Sequence, residues 1–448
     1  MAESSALVID LYQLTMAQSY YAQGIHRRPA TFSLFVRNLP PRWGYLVAAG
    51  LDAVLDYLEG FAFTESELGY LETTGLFGDD FLGHLEGVRF EGEVRAMLEG
   101  TLFFPNEPVL EVRAPLLEAQ LVETIVLQEV HFQSLAAAKA ARSVDVAEGR
   151  TLVDFGLRRG HGADAGMRVA RSSYLAGFDS TSNVEAGRRY GIPIAGTMAH
   201  SYVQAFDSEG AAFRAFARSF PDRAILLVDT YDTLEGIRRA ALVGRELAGS
   251  GHRLAGIRLD SGDVEALARE ARTILDEAGL EDATIFVSGG LDEQDVAHLV
   301  GSGAAIDGFG IGSKLSTSAD APYLDMAYKL VELAGRSTLK LSPAKATLPG
   351  PKQVWRVSLG GRFAYDVVAP TAGVAPPGGE PLLEPAMAGG RRLLTTSLET
   401  ARTRCRAQRE QLAAEHRRLD AESYEVRISD ALLELRDRTV AELHRAGT

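Results

Sequence analysis

Short apolar runs, each ending in a small polar cluster, recur through the middle of the chain. These runs are TLVDFG from Thr151, IPIAGTMAH from Ile192, AILLVDTYD from Ala224, AGIRLDSGD from Ala255, TIFVSGG from Thr284 and IDGFGIGSK from Ile306. Nearly continuous Val, Ile and Leu predict strands buried on both faces, as in parallel sheets. Most of the runs are separated by a segment of helical periodicity that closes on glycine, a common helix stop. The pattern predicts repeated parallel βα units.

The predicted βα units fit either a closed barrel or an open doubly wound sheet, and periodicity alone does not separate the two. We favour the barrel, whose active sites lie at the carboxyl ends of the strands. Segments such as ATFSLFVRNLP near the amino terminus instead predict an antiparallel or mixed sheet. We predict an amino-terminal α+β domain over residues 1–115, a barrel over 116–334 and a carboxyl-terminal segment over 335–448 that packs with the first domain. The charged stretch from Ser397 predicts a solvated surface helix.

Composition excludes several classes of protein. The 448 residues carry a formal net charge of -14, which argues against general nucleic-acid binding because phosphate contacts need clustered Lys and Arg. The single cysteine, Cys405, excludes an internal disulfide framework and a cysteine-rich zinc site. No stretch is long and apolar enough to predict a membrane span or a signal peptide. We therefore expect a cytoplasmic protein that binds neither nucleic acid nor membrane.

Two glycine-rich turns close consecutive predicted strands. They are Ser288–Gly289–Gly290 and the segment GFGIGS, in which Gly310, Gly312 and Ser313 end the run. Glycine lets backbone N–H groups approach an anion closely, and late loops of barrels often bind phosphate. Each turn alone is best explained as a simple tight turn, but the tandem at strand ends makes a phosphate site an equal alternative.

Carboxylates cluster in the segments VDTYD and GIRLDSGD. Asp229, Asp260 and Asp263 follow two predicted strands, and Arg258 lies beside them. Oxygen ligands near a phosphate suit Mg²⁺, and ribose hydroxyl groups are an alternative partner. The simpler interpretation is that some of these aspartates cap the next helix.

Three further polar residues follow predicted strands. Adjacent Arg158 and Arg159 can grip a pyrophosphate through charge-assisted hydrogen bonds, although a surface arginine pair is the commoner explanation. His200 ends the run IPIAGTMAH. A lone histidine is more often structural than catalytic, but the position of His200 among the other strand-end groups strengthens the catalytic alternative.

Taken together, these segments resemble the nicotinate phosphoribosyltransferase family. The resemblance covers most of residues 10–357, in order. Its motifs are DLYQLTMAQSYY, FSLFVRNLPPRWGYLVAAGL, FPNEPVLEV, DFGLRR, GFDSTSNVEAG, GTMAHSYVQAF, VDTYD, GIRLDSGD, GFGIGS and KLSPAKATLPGPKQVWR. The resemblance implies an irregular TIM-like α/β barrel beside an α+β sandwich-like domain made from both chain ends, and a homodimer.

The resemblance also implies roles for individual residues. His200 falls on the family's phosphorylated histidine, with ATP as co-substrate. Tyr12, Thr197 and Arg258 fall on nicotinate-binding positions, and Tyr12 is expected to approach the site of a neighbouring subunit. The residues expected to bind phosphoribosyl pyrophosphate are Arg158, Arg159, Ser288, Gly289, Gly290, Gly310, Gly312, Ser313 and Thr317. Asp260 is expected to hold ribose or Mg²⁺, and Asp229 and Asp263 are further candidate ligands of that ion.

The resemblance makes Ser182, which is uncharged, the equivalent of a residue that bears on the choice of substrate. The related nicotinamide phosphoribosyltransferases place an aspartate near the amide in the segment that resembles FDSTSNVEAG, and that aspartate would repel a carboxylate. We expect transfer of phosphoribose to nicotinate, giving nicotinate mononucleotide and pyrophosphate for NAD salvage. Nicotinamide and quinolinate remain alternative acceptors. A sugar-phosphate lyase or isomerase, with Lys314 as the only lysine near the glycine turns, and a metabolite sensor remain alternatives of other classes.

Overall fold

The computed structural model describes residues 5–341 and 347–445. The segment 342–346, in the middle of the motif KLSPAKATLPGPKQVWR, lies outside the described residues. No helix within the described ranges combines the length and the apolar character that crossing a membrane requires.

Helices and strands follow one another along the whole described chain. The helices are α1 Leu11–Ala22, α2 Leu51–Glu59, α3 Glu65–Thr73, α4 Asp79–Glu86, α5 Leu116–Leu121, α6 Glu123–Val146, α7 Ala163–Ala176, α8 Val184–Tyr190, α9 His200–Gln204, α10 Glu209–Ser219, α11 Thr233–Gly249, α12 Val264–Glu277, α13 Glu293–Gly301, α14 Ser313–Ser316, α15 Leu398–Gln411, α16 Ala414–Arg417 and α17 Asp430–Arg445. A single turn of 3₁₀ helix spans Leu157–Arg159.

The strands fall into sheets that are described below. They are β1 Pro29–Val36, β2 Leu46–Val47, β3 Glu93–Met97, β4 Leu102–Phe103, β5 Pro108–Pro115, β6 Thr151–Asp154, β7 Ser180–Thr181, β8 Ile225–Leu227, β9 Gly256–Leu259, β10 Thr284–Val287, β11 Gly308–Ile311, β12 Met326–Leu333, β13 Arg336–Ser337, β14 Lys352–Leu359, β15 Arg362–Pro370, β16 Gly379–Pro381, β17 Leu383–Ala388, β18 Arg391–Arg392 and β19 Val426–Ile428.

The chain forms two compact units. Unit 1 contains Met1–Ala138 and Tyr323–Thr448, and unit 2 contains Lys139–Pro322. The ranges 1–115, 116–334 and 335–448 that the sequence predicts for three domains stay predictions.

Unit 1 is built on a seven-stranded sheet with the order β13-β12-β1-β5-β3-β17-β18. The strands of this sheet come from both ends of the chain. A four-stranded sheet, β16-β14-β15-β19, belongs to the same unit. In that sheet the Arg356 guanidinium donates to the Asp366 carboxylate at 2.6 Å, with both side chains buried. Burial of an ion pair is tolerated when further hydrogen bonds satisfy its atoms. Here the Tyr424 hydroxyl donates to Asp366, and Arg356 donates to the side-chain oxygen of Gln408.

Helix α15 corrects the expectation of a solvated carboxyl-terminal helix. Its residues Ala401 and Cys405 are fully buried, and Arg409 is 8% exposed. The prediction was wrong because the many charged residues of this stretch outweigh a narrow apolar stripe in the sequence. A few small residues on one side of a helix are enough to pack it against its unit. The thiol of Cys405 is a core group in unit 1.

Unit 2 contains a six-stranded sheet in the order β7-β6-β11-β10-β9-β8. Every neighbouring pair in this sheet is parallel, as the sequence predicts. A closed barrel is not confirmed, because the ladder of hydrogen bonds is open between β7 and β8 in the described residues. The shown fold is therefore mixed α/β with an open parallel sheet in unit 2.

The run IPIAGTMAH is not a regular strand, contrary to the prediction. Only Ile194 forms an isolated parallel bridge, with Thr181. Pro193 lacks an N–H group and cannot donate to a ladder, so pairing ends within the run. The edge strand that the sequence did not predict is β7, which consists of Ser180 and Thr181. Its two residues are too short a run for periodicity to reveal.

The helices of unit 2 begin at the carboxyl edge of the sheet. Asp232, Asp263 and Asp292 cap α11, α12 and α13, and each accepts a backbone N–H with its side chain. Apolar residues on the sheet side of α11 and α12, such as Ile237 and Leu275, are fully buried. This packing fixes where each strand ends and thus where its last polar residue lies.

Candidate functional site

The predicted polar residues of unit 2 gather at the carboxyl edge of its parallel sheet. Parallel strands in one sheet end on the same side, so the residues that follow them share one edge. Those at or just beyond a strand end are Arg158, Arg159, Ser182, Asp229, Arg258, Asp260, Ser288, Gly289, Gly290, Gly310, Gly312 and Ser313.

His200 is the first residue of α9 and lies between two other strand-end residues. Its Nδ1 is 3.1 Å from the Thr230 hydroxyl oxygen. Its Nε2 is 3.9 Å from an oxygen of Asp260. The imidazole side chain is 40% exposed. The structure therefore places His200 beside the carboxylate that the sequence also assigned to the site.

Arg258 is a partly desolvated cation with hydrogen-bonding capacity to spare. It donates to the Thr197 hydroxyl at 2.5 Å and lies 3.8 Å from Asp260. Its Nε is buried and has no hydrogen-bond partner among the described residues. Burial lowers the pKa of Arg258, while the negative charges of Asp260 and Asp229 raise it. A buried, incompletely paired guanidinium favours an anionic ligand, since a carboxylate would satisfy its donors.

The contact between Arg258 and Thr197 shows that the sheet of unit 2 is strongly curved. Thr197 follows Ile194, which bridges β7, whereas Arg258 lies on β9 at the far side of the sheet order. In a flat sheet these two segments would be about 24 Å apart, because neighbouring strands are spaced by about 4.8 Å. Curvature thus brings the ends of distant strands into one cluster.

Asp229 and Asp260 form one connected group. One oxygen of Asp229 accepts the backbone N–H of Asp260 at 3.0 Å and the hydroxyl of Ser261 at 2.6 Å. The other oxygen, Oδ1, is buried without a partner among the described residues. Asp260 in turn accepts the hydroxyl of Ser288 at 2.5 Å. The group joins the ends of β8, β9 and β10.

Asp263 differs from these two aspartates. Its side chain accepts the backbone N–H of Ala266 at 3.1 Å and caps α12. The simpler interpretation, helix capping, therefore applies to Asp263 and to Asp232, but not to Asp229 or Asp260. Within residues 5–341 and 347–445, no group of three or more His, Cys, Asp or Glu side chains is arranged to hold a metal ion.

The glycine turns are needed where backbone segments approach closely. Gly289 has φ +100°, and a Cβ atom there would lie 1.9 Å from the carbonyl oxygen of Asp260. A Cβ at Gly310 would lie 2.4 Å from the ring of Phe155. A Cβ at Gly312 would lie 3.0 Å from the carbonyl oxygen of Phe155. The sequence suggested that these glycines let the backbone approach a ligand. In the structure they let the backbone approach the ends of neighbouring strands, at Asp260 and Phe155.

The remaining predicted residues of unit 2 lie around this cluster. Arg158 and Arg159 are exposed on the 3₁₀ turn after β6, and the charge of Arg158 helps to lower the pKa of Arg258. Ser182 is half-buried after β7, and its N–H donates to the carbonyl oxygen of Asp154. Thr317 ends α14, and its hydroxyl donates to the carbonyl oxygen of Ser313 at 2.8 Å.

Tyr12 lies in unit 1, on α1, and is 48% exposed. Burial raises its pKa, and the carboxylate of Glu123, to which its hydroxyl donates, raises it further. Glu123 lines a pocket of about 270 Å³ with three basic residues of unit 1, Arg37, Lys329 and Lys340. Sequence analysis assigned Tyr12 to the site but did not single out this basic pocket.

Three family models match this chain. They are the nicotinate phosphoribosyltransferase N-terminal domain over residues 7–131, the nicotinate phosphoribosyltransferase family over 150–342 and the C-terminal domain over 372–436. The nicotinate phosphoribosyltransferase pncB2 of Mycobacterium tuberculosis strain H37Rv is 49% identical over 447 residues, which cover 98% of this chain and 96% of that protein. The chain belongs to the nicotinate phosphoribosyltransferase family.

Solved structures agree with this assignment. The crystal structure of human nicotinic acid phosphoribosyltransferase has a TM-score of 0.85 and 32% identity, and covers 96% of this chain and 99% of its own. The crystal structure of nicotinate-nucleotide pyrophosphorylase from Pyrococcus furiosus has a TM-score of 0.74 and 26% identity, and covers 91% and 95%. The resemblance stated from the motifs is confirmed.

Three residues of the cluster in this nicotinate phosphoribosyltransferase family member were not predicted from the sequence. Thr230 contacts His200, and Phe155 lies with its ring centre 6.0 Å from the guanidinium carbon of Arg258. Asp154 ends β6 and is 1% exposed. All three belong to motifs that were quoted, DFGLRR and VDTYD, but single polar or aromatic residues beside charged ones carried no separate signal.

Proposed function

We propose that this protein transfers the phosphoribosyl group of phosphoribosyl pyrophosphate to nicotinate, giving nicotinate mononucleotide and pyrophosphate for NAD salvage. Membership in the nicotinate phosphoribosyltransferase family supports this activity. The observation that carries the choice of an acidic acceptor is Arg258, a mostly buried cation that has an unpartnered donor and lies beside Thr197.

In the proposed reaction the pyridine nitrogen attacks the anomeric carbon of ribose as pyrophosphate leaves. The nitrogen has a free lone pair, so no general base is required. The protein's task is then to orient the two substrates and to stabilise the departing pyrophosphate. Arg158 and Arg159 are exposed at the cluster and suit the second task, because one guanidinium group can donate two parallel hydrogen bonds to the oxygens of a phosphate.

The proposed phosphate contacts lie on the two glycine turns and at Thr317, and the proposed nicotinate contacts lie on other elements. For the sugar phosphate they are Ser288, Gly289, Gly290, Gly310, Gly312, Ser313 and Thr317. For nicotinate, Arg258 and Thr197 bind the carboxylate, Ser182 tolerates it because it is uncharged, and Tyr12 is contributed by a neighbouring subunit of a homodimer. Phe155, next to Arg258, offers an apolar face to the pyridine ring.

Mg²⁺ is proposed as the cofactor, held by Asp229 and Asp260 together with phosphate oxygens of the substrate. The fit rests on Asp229 Oδ1, a buried carboxylate oxygen with no partner among the described residues. Asp263 is not suited, because its side chain caps α12. When bound, the ion would neutralise charge on the pyrophosphate.

The alternative of a sugar-phosphate lyase or isomerase loses support from the state of Lys314. Its Nζ lies 2.8 Å from an oxygen of Asp292 and 2.9 Å from one of Asp295. Hydrogen bonds and charge interactions with these carboxylates raise its pKa, against the effect of burial. A Schiff-base lysine needs a neutral amine, so Lys314 is held in the wrong protonation state.

The curvature of the parallel sheet supports an irregular barrel for unit 2, although its hydrogen-bonded ladder is open. Strands from both chain ends in the seven-stranded sheet support a sandwich-like unit 1. We further propose that the protein is cytoplasmic, in line with its single, buried cysteine.

The acceptor is tested by measuring pyrophosphate release with nicotinate, nicotinamide and quinolinate at equal concentrations. We expect nicotinate to be turned over at least about tenfold faster than nicotinamide, because only the acid satisfies the donors of Arg258. Faster turnover of the amide or of quinolinate would overturn the proposed substrate. No release with any acceptor would point to a metabolite sensor.

Replacement of His200 tests the role of ATP. We propose that ATP phosphorylates His200 and that the added phosphoryl charge changes substrate affinity, coupling ATP hydrolysis to turnover. A His200→Ala variant is expected to retain basal turnover, to lose stimulation by ATP, and to lose the radiolabel that the wild type takes from [γ-³²P]ATP. His298→Ala is the matched control, since that side chain is 74% exposed on α13 and lies 3.3 Å from a carboxylate oxygen of Glu265, away from the cluster at the strand ends. Full stimulation of the His200→Ala variant refutes the phosphohistidine.

A further inference from the structure

The carboxylate of Asp154 joins two loops that the proposed function uses separately. One oxygen accepts the backbone N–H of Gly156 at 2.7 Å, in the turn that leads to Arg158 and Arg159. The other oxygen accepts the hydroxyl of Thr181 at 2.7 Å, immediately before Ser182. The first loop carries proposed pyrophosphate contacts, and the second carries a proposed nicotinate contact.

The Thr181 hydroxyl links Asp154 to the residue after Ser182. Its oxygen accepts the backbone N–H of Asn183 at 3.0 Å, and its hydrogen is donated to Asp154. In this arrangement Asp154 accepts on both of its oxygens, as a carboxylate can. Asn183 in turn caps α8 by accepting the N–H of Ala186 at 3.1 Å. These hydrogen bonds link the Asp154 carboxylate to the side chain of Thr181 and, through it, to the backbone of Asn183, the two neighbours of Ser182.

The position of this carboxylate is costly for the fold. Asp154 is 1% exposed and ends β6, which lies between β7 and β11. Burial raises its pKa, and the hydrogen bonds from Thr181 and Gly156 lower it. No arginine or lysine side chain within the described ranges forms a salt bridge with it. A buried charge without a counter-ion opposes folding, so stability alone does not account for an aspartate here.

We propose that Asp154 is a positioning residue that sets the distance between the pyrophosphate loop and the nicotinate loop, so that the pyridine nitrogen and the anomeric carbon meet. Its two oxygens are held by one donor from each loop, and the carboxyl group is planar and rigid. A shift of either loop by a fraction of an ångström stretches one of these bonds. Misplacement of reacting groups by about 1 Å costs on the order of a hundredfold in rate. The inference rests on the proposed function, because it presumes the ligands of the two loops.

Three variants of the full-length protein test this role. Asp154→Asn replaces one acceptor by a donor and is expected to raise KM for both nicotinate and phosphoribosyl pyrophosphate, and to lower kcat by about a hundredfold. Thr181→Val removes the hydrogen bond to Asp154 and the acceptor of the Asn183 N–H, both on the nicotinate side, so KM for nicotinate should rise about tenfold while KM for phosphoribosyl pyrophosphate stays within about twofold. Thr181→Ser keeps the hydroxyl, so the KM values for nicotinate and for phosphoribosyl pyrophosphate should both stay near those of the wild type.

The separation of the two Michaelis constants distinguishes positioning from a purely structural role. A structural role lowers the melting temperature and the amount of active enzyme, but leaves both KM values unchanged in the fraction that folds. Wild-type constants in Thr181→Val, or an equal rise of both, would sink the proposal even if Asp154→Asn failed to fold. Lack of transferase activity in the wild type would instead count against the proposed function.

Discussion

An Arg258→Gln variant is expected to lose between about 30-fold and 4,000-fold in kcat/KM for nicotinate. Truncating one member of a buried, hydrogen-bonded charge pair costs about 2–5 kcal/mol, and each 1.4 kcal/mol is about tenfold. Glutamine keeps an amide donor but is shorter by two atoms, so the loss reports the missing guanidinium group together with its contact to Thr197. We expect turnover of nicotinamide, which lacks a carboxylate, to change by less than about threefold. The ratio of the two acceptors is measured by steady-state kinetics.

The control for this substitution lies before the same strand. Arg253 is exposed and precedes β9, whereas Arg258 lies within it. Arg253→Gln removes the same charge from unit 2 and should leave kcat/KM within about twofold, because exposed charges are well screened. If Arg258→Gln reduced turnover of nicotinate and of nicotinamide by the same factor, or if Arg253→Gln caused the same loss, Arg258 would not recognise the carboxylate.

Gly289→Ala is expected to reduce kcat/KM by about a hundredfold and to cost more stability than backbone strain alone, because the new Cβ also clashes with the backbone of Asp260. The added Cβ would lie 1.9 Å from the carbonyl oxygen of Asp260, and the backbone has φ +100°. The turn has to move away from β9, and a displacement of about 1 Å at a reacting centre costs on the order of a hundredfold. The carboxylate of Asp260 and the hydroxyl of Ser288 are the groups that would separate.

Gly303→Ala provides the control for backbone strain. Gly303 has φ +70°, follows α13 and has open space around its Cα. This substitution should cost about 1–2 kcal/mol of stability, because alanine is strained in the left-handed region, and leave kcat/KM unchanged. Stability from urea unfolding and activity are measured on both variants. Equal activity of Gly289→Ala and Gly303→Ala would show that the turn has no part in the site.

The strand ends of unit 2 were predictable because they follow from local pattern. Five of the apolar runs contain strands of the parallel sheet, and the helices between them begin at capping aspartates such as Asp232 and Asp292. The run IPIAGTMAH was not predictable in the same way. Its apolar residues resemble those of the others, and the missing N–H of Pro193 ends the ladder.

Roles within the acidic cluster could not be separated from the sequence. Asp229, Asp260 and Asp263 are equivalent there, since each follows a strand and precedes a helix. The structure distinguishes them by partners: Asp263 caps α12, and Asp229 holds the backbone of Asp260. Capping depends on one or two backbone dihedral angles, which composition does not reveal.

The sequence by itself determined the alternation of strands and helices, the edge at which polar residues gather, and the family to which the chain belongs. These properties depend on residues close together along the chain. Only the tertiary structure decided that His200 meets Thr230, that Thr197 meets Arg258, and that Asp154 joins two loops. The first two pairs depend on the curvature of the sheet, which is the sum of packing contributions from every strand and helix. The third depends on the pairing of β6 with β7, and no single segment encodes either.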